Sequence, residues 1–432
     1  MANGLGARQM HLAVFWLGTG NHAAGWRWDG AAASNCDWSI VEANARIAER
    51  GKFDLFFISD SLVPDINDHP SFLSRFEPTT LIAALGIATR NLGLGATVST
   101  SFSEPFTVAR TFASLQHLTA GRVAWNVVTT TSDRAALNFS KERLLEHDRR
   151  YDVANEFVDV VQGLWNTWDD GAIIRDRTTG QFVDQSKVHA LDHKGEFYAV
   201  KGPLNVERSP YGHPLIIQAG GSAPGQELSA RTADIVFSVV SGDPEPAKAA
   251  YDSLKSRMPK YGRKPQDLAI LPGVMPIVGK TEAEAKAKLD LLQSWLSSAN
   301  ATTLLTNRIG HDLSGYPLDG PIPELPATTN RGQTFSRTLL DKARRENMTL
   351  RDLYNMTAAA RGHWVIFGTP QQIADVLEEW FTAERADGFM ILPPWFPGSF
   401  EEFVDLVVPE LQRRGLYRKD YAGSTLRSHL KG

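Results

Sequence analysis

A single cysteine, Cys36, stands in 432 residues. That excludes an internal disulfide and any metal site built from several thiolates, and it fits a reducing compartment. An excess of one charge is missing too: 45 Lys and Arg against 49 Asp and Glu give a formal net charge of −4. Such a balance offers no electrostatic footprint for nucleic acid or an anionic membrane. No apolar run approaches the roughly 20 residues of a membrane span, and the opening MANGLGARQM has no signal-peptide core, so a cytoplasmic chain is expected. Chemical motifs are scarce as well. No P-loop lysine, no GxGxxG between a strand and a helix and no GxSxG elbow occurs, and neither His pairs nor acidic clusters have metal-ligand spacing, so no metal site is expected.

What is present is an alternation of apolar runs and amphipathic stretches. Strands are expected at 10–17, 53–58, 92–99, 122–128, 214–219, 234–240, 268–278 and 388–392. Helices are expected at 38–50, 77–90, 105–118, from 147 onward, and at 225–233, 244–261, 281–296, 370–383 and 399–414, with Gly51 at the usual position of a left-handed cap. Eight strands alternating with helices argue for an α/β fold, a (β/α)8 TIM barrel formed by residues 1–432 as one domain. Two stretches stand outside the pattern. Residues 169–206 form a polar insertion with hairpin-like pieces around Gly180 and Gly195, and 298–365 read as an irregular, lid-like insertion.

A barrel of this kind carries its site at the C-terminal strand ends. There the sequence places Asp60, then Ser99 to Ser101, and the hydroxyl run Thr129, Thr130, Thr131. QAGGSAPGQEL leaves a strand and opens a helix. Its small residues and helix N-terminus suit a phosphate or a tight turn equally well, and His147 and Tyr151 strengthen the phosphate reading if a barrel brings them to the same end. Asp60 could accept a hydrogen bond from a heterocycle N–H or cap a turn. His22, in a Gly-rich loop with Trp26 and Trp28, is a candidate acid or base, although a solvated loop histidine is the commoner case. A phosphate clamp among few charged groups and many aromatics is what a bound cofactor requires.

Long segments carry a resemblance: ERGKFDLFFISDS at 49–61, GLGATVSTSFSEPF at 93–106, GRVAWNVVTT at 121–130, EHDRRYDVANEF at 146–157, GPLNVERSPYGHPLIIQAGGS at 202–222 and VVPELQRRGLYRKDYAGSTLRSHL at 407–430. Together they closely resemble the nitrilotriacetate monooxygenase component A family, a branch of the bacterial-luciferase-like flavin monooxygenases. The resemblance implies a barrel that uses reduced FMN from a separate NAD(P)H:flavin reductase. With dioxygen, the reduced flavin forms a flavin (hydro)peroxide that oxidises a small molecule. It implies Asp60, Thr97 and Asn126 against the isoalloxazine, Thr130 and Thr131 beside it, and His147, Tyr151, Ala219, Gly220, Gly221 and Ser222 around the phosphate. His22, Thr131 and Trp26 are the candidates for catalysis. Trp16, Trp26, Trp28, Trp395 and Phe396, near expected strand ends, suggest an apolar or aromatic substrate. Relatives imply a homodimer or homotetramer. The alternatives are an oxygen-dependent lyase that cleaves the flavin and a non-catalytic flavin-binding protein.

Overall fold

The computed structural model describes residues 8–64, 66, 69–296, 301–324 and 333–431. The chain runs β1 (His11–Trp16), α1 (Trp38–Arg50), β2 (Leu55–Ile58), α2 (Pro78–Ala88), β3 (Gly93–Ser99), α3 (Pro105–Leu118), β4 (Val123–Val128), α4 (Asp133–Leu137) and α5 (His147–Trp165). A short hairpin, β5 (His193–Lys194) and β6 (Ala199–Val200), leads to β7 (Leu215–Gln218), α6 (Ala223–Thr232), β8 (Ile235–Ser238), α7 (Pro244–Lys255), β9 (Ala269–Val278) and α8 (Glu282–Ser294). Three further helices follow, α9 (Ala301–Ile309), α10 (Gln333–Arg345) and α11 (Leu350–Ala360), then β10 (Trp364–Gly368), α12 (Pro370–Thr382), β11 (Gly388–Ile391), α13 (Gly398–Glu402), α14 (Val408–Arg413) and α15 (Leu426–Lys431).

Of the nine strands in the main sheet, eight close a parallel ring in the order β11, β1, β2, β3, β4, β7, β8, β9, with β9 returning to β11. These are the eight strands expected from the sequence. The ninth, β10, lies outside the ring along the second half of β9, pairing Trp364 to Gly368 with Val274 to Val278. The ring strands are largely apolar on both faces because both are covered, with Thr97, Asn126 and Gln218 as polar exceptions toward their C-terminal ends. Ala13, Phe15, Leu55, Phe57, Ile217 and Phe237 fill the interior, while Leu12, Val14, Phe56 and Ile58 face the helices.

Several local expectations change. Gly51 has φ −74° and the left-handed residue is Lys52 at φ 59°. Gly51 is instead a point of close approach, where a Cβ would lie 3.0 Å from a Val404 methyl. The expected helix 399–414 contains a wider turn at Phe403–Val407, just ahead of Pro409, which has no N–H to continue the regular ladder. Most of the described residues of 298–365 are helical rather than irregular, in α9, α10 and α11; residues 298–300 and 325–332 of that stretch lie outside the described residues. The excursion owns a core, with Leu304, Leu305, Leu339, Leu353 and Tyr354 packed together. It rests on the C-terminal side of the barrel through Ala23 N–H to Ala358 O (2.9 Å) and Arg345 to Asp243. The 169–206 insertion is held to α5 by Glu156, whose carboxylate accepts from the N–H groups of Glu196, Phe197 and Tyr198 at 2.9–3.0 Å.

The opposite, N-terminal end of the barrel is sealed by α15, whose Leu426 and His429 are fully buried. Beneath it Arg418 Nη2 meets Asp54 Oδ1 at 2.5 Å and His429 O at 2.8 Å, and Leu12 N–H donates to Asp54 Oδ2 at 2.9 Å. Burial alone would push the Asp54 carboxyl up, but Arg418 and His11 outweigh it and hold it below the ordinary aspartate value. With a folded pKa below the unfolded one, this stabilisation is complete above the unfolded carboxylate pKa and is lost as pH falls through the folded pKa. Arg418→Met is expected to cost about 3–5 kcal/mol by stranding a buried carboxylate, and Asp54→Asn added to it should restore part of that loss; equal denaturant midpoints for wild type and Arg418→Met would contradict this.

Candidate active site

The C-terminal ends of β2, β3, β4 and β7 surround a cavity of about 430 Å³, within the size range of small-molecule sites. Its floor is aromatic. Phe15, Phe57 and Phe237 meet at the barrel axis with centroids 5.2–5.8 Å apart.

Above that floor the wall is polar and strongly ordered. Thr97 Oγ1 donates to Ile58 O at 2.9 Å and accepts from Asn126 Nδ2 at 2.9 Å, a chain that crosses from β2 to β4. Asn126 is thereby turned so that its Oδ1 has no partner among the described residues. Gln218 Nε2 and Ser59 Oγ, two more lining groups, are likewise buried and unpaired. Three such atoms around one cavity are costly unless a ligand satisfies them. Beyond β4, Ser99 Oγ and Thr130 Oγ1 are 2.6 Å apart, and Arg150 Nη1 donates to Thr130 O at 3.0 Å, so the threonine run is fixed in place.

Asp60 lies just past β2, where its Oδ1 accepts from Ser61 N–H at 2.8 Å. Burial pushes its carboxyl above the ordinary aspartate value, with the Ser61 bond and Arg75 opposing. At the other side Tyr151 closes over the turn after β7. A Cβ on Gly220 or on Gly225 would come within 2.9 Å of the Tyr151 hydroxyl, so only glycine leaves this cradle open. Ser222 caps α6 by accepting from Gly225 N–H, which leaves the positive end of that helix beside Gly220.

The structure thus brings Asp60, Thr97, Asn126, Thr130 and Thr131 into one wall, with Tyr151, Ala219 and Gly220 opposite. Gly221 lines an adjoining cavity of about 230 Å³ that shares Ala219 and Gly220, and His147 begins α5 with its ring 5.2 Å from that of Tyr151.

His22 and Trp26 are not among the lining residues. His22 is buried, its Nδ1 accepts from Ala24 N–H at 3.0 Å, and burial lowers its pKa to about 3, so it stays neutral. Trp26 is 52% exposed. Nor do the tryptophans that suggested an apolar substrate face the cavity: Trp16 packs on Phe396 at 4.6 Å and Trp28 stacks on Trp395 at 3.9 Å, within the apolar packing. Sequence reasoning missed Gln218, whose signal was a lone amide ending an apolar strand, and Arg361, which reaches the cavity from α11 with no local signal. Among the described residues no cluster of His, Cys, Asp or Glu could hold a metal ion, and no helix is long and apolar enough to cross a membrane.

Comparison with known proteins gives the fold its family. The model of the luciferase-like monooxygenases matches residues 18–388. The N-acetyl-S-(2-succino)cysteine monooxygenase of Bacillus subtilis (strain 168) is 48% identical over 98% of this chain and 96% of its own length. Nitrilotriacetate monooxygenase component A of Aminobacter aminovorans is 44% identical with the same coverage. Among solved structures, a riboflavin lyase determined with modified FMN and riboflavin superposes with a TM-score of 0.86 at 29% identity, covering 98% of this chain and 96% of that one. The chain belongs to the luciferase-like monooxygenase family and is a monooxygenase of its flavin-dependent kind.

Proposed function

We propose that the chain is the oxygenating component of a two-component system, using reduced FMN from a separate NAD(P)H:flavin reductase and dioxygen to oxidise a small organic molecule. The observation that carries this reading is the convergence of Ser59 Oγ, Asn126 Oδ1 and Gln218 Nε2, each buried without a partner, on one cavity that ends in a glycine cradle. A planar heterocycle edged with N–H and C=O groups satisfies such atoms, and a phosphate suits the Gly220 turn at the start of α6. The component role is supported by the likeness to nitrilotriacetate monooxygenase component A at 44% identity.

When bound, reduced FMN supplies the two electrons that let dioxygen give one atom to substrate and one to water. This chain's residues do the rest. Asn126, held by Thr97, would accept a hydrogen bond from the ring, Gln218 would donate one, and Asp60 would accept from a ring N–H. Tyr151, the Gly220 and Gly221 backbone and the capped start of α6 would hold the phosphate end, with His147 alongside. Phe15, Phe57 and Phe237 would exclude water from below, and Thr131 is among the lining residues.

A second reading, oxygen-dependent cleavage of the flavin, is favoured by the likeness to the riboflavin lyase. Turnover with a flavin reductase, NADH and isotopically labelled dioxygen separates the two. One labelled atom in an organic product with flavin intact is expected; hydrogen peroxide alone, or flavin consumed in step with oxygen, counts against the oxygenase.

The Asp60 carboxyl titrates above its unfolded value, so ionising it costs the unliganded fold stability at pH above its folded pKa. Asp60→Asn should therefore raise the melting temperature of the flavin-free protein at neutral pH, with the gain shrinking as pH falls below that pKa and gone below the unfolded carboxylate pKa. The same substitution should weaken FMN binding by about ten-fold or more, the worth of a hydrogen bond to a charged group. An unchanged FMN Kd removes Asp60 from the site.

A further inference from the structure

The adjoining cleft of about 230 Å³ shares not only Ala219 and Gly220 with the larger cavity but also Phe237, one of its three floor aromatics. It runs between β8 and α7, and its buried apolar lining includes Val236, Val240, Ala247, Leu254 and Ile270. The side chains of α7 explain the gap. Toward the end of that helix Tyr251 and Leu254 pack with Val236 and Ile270, whereas one turn nearer its start Ala247 offers only a methyl group. Pro246 and Ala250 also line the cleft and are exposed, so it opens to solvent there. The cleft thus leads from the outside of the barrel to the wall of the flavin cavity.

The two cavities differ in what they ask of a ligand. The larger holds three buried polar atoms without partners, and among the described residues the cleft holds none. Gln226 Oε1 accepts from Ser253 Oγ at 3.2 Å, the Tyr251 hydroxyl donates to Asp387 at 2.9 Å and Arg385 donates to Glu379 at 2.8 Å. Asp243 is paired with Arg345 and accepts from Ser241 Oγ. An anionic or strongly polar occupant would meet side chains already engaged and the Asp243 carboxylate, with no compensation for its lost water. Dioxygen is uncharged and apolar, and it leaves water readily for such a lining. Flavin and an organic substrate together would fill the larger cavity, so a gas needs a second approach to it.

We propose that the cleft between β8 and α7 admits dioxygen and holds it against the flavin cavity at Phe237, Ala219 and Gly220. This rests on the oxygenase reading of that cavity. One test is a crystal of the full chain with FMN, pressurised with xenon, an apolar gas that enters dry apolar cavities. Xenon is expected beside Val240, Ala247 and Leu254. The other is stopped-flow reoxidation of protein-bound reduced FMN at limiting dioxygen. Ala250→Phe, at the exposed rim, should slow the second-order rate several-fold and leave the FMN Kd unchanged, whereas Ala250→Ser should change neither.

A cleft without xenon overturns the proposal, as does FMN phosphate found inside it or an Ala250→Phe rate equal to that of wild type. So does an Ala250→Phe variant that loses FMN affinity in step with the rate. If Ala250→Phe does not fold, Val240→Phe, which narrows the cleft from the end of β8, takes its place beside the wild-type xenon site. Failure of the oxygenase reading looks different: reduced FMN would then not bind the wild-type chain at all.

Discussion

The hydrogen-bond chain from Asn126 through Thr97 to Ile58 O is the constraint on which the site depends. It crosses three neighbouring ring strands, so the parallel register that pairs Thr97 with Asn126 is what sets the distance. Once the Asn126 amide nitrogen is spent on Thr97, its oxygen can face only the cavity, and the fold must bury it unpaired. A rigid closed ring tolerates that cost where a pliable loop would turn the side chain away. Ser59 and Gln218 repeat the pattern on either side.

The two ends of β2 show how the molecule divides stability from chemistry. Asp54 precedes the strand and Asp60 follows it. Asp54, fully buried, has Arg418, His11 and the Leu12 N–H around it and is held in its charged form. Asp60, partly buried, has one N–H on its carboxylate and is pushed toward its neutral form. The closed end of the barrel thus holds a compensated charge that ties the C-terminal segment to β1 and β2. The open end holds a charge left for a ligand to compensate, as sites of function commonly do.

Much of this was legible in the sequence, for stated reasons. All eight ring strands were, because strands buried on both faces read as apolar runs too short for helices. Asp60, the threonine run and the AGG turn were legible because they interrupt such runs where a barrel puts its site. The first loop misled. Gly20 and Gly25 suggest mobility and an exposed His22, yet both are glycine because Pro394 O lies where a Cβ would be, at 2.2 and 2.1 Å. That loop is pinned, and His22 is sealed beneath it. The 298–365 excursion misled in the other direction: its Thr, Asn, Gly and Pro content reads as irregular, yet α10 and α11 are amphipathic and pack their apolar faces on each other and on α9. Arg361 could not be found from its neighbours, since its partners Asn21 and Phe15 lie more than three hundred residues away in sequence.

The most direct measurement is a crystal structure of the protein with FMN, reduced under anaerobic conditions. The account predicts the isoalloxazine edge within hydrogen-bonding distance of Asn126 Oδ1, Gln218 Nε2 and Asp60, with the phosphate between Tyr151 and the start of α6. A flavin bound elsewhere, or in this cavity with its phosphate toward Asp60 and Asn126 Oδ1 still unpaired, would contradict it.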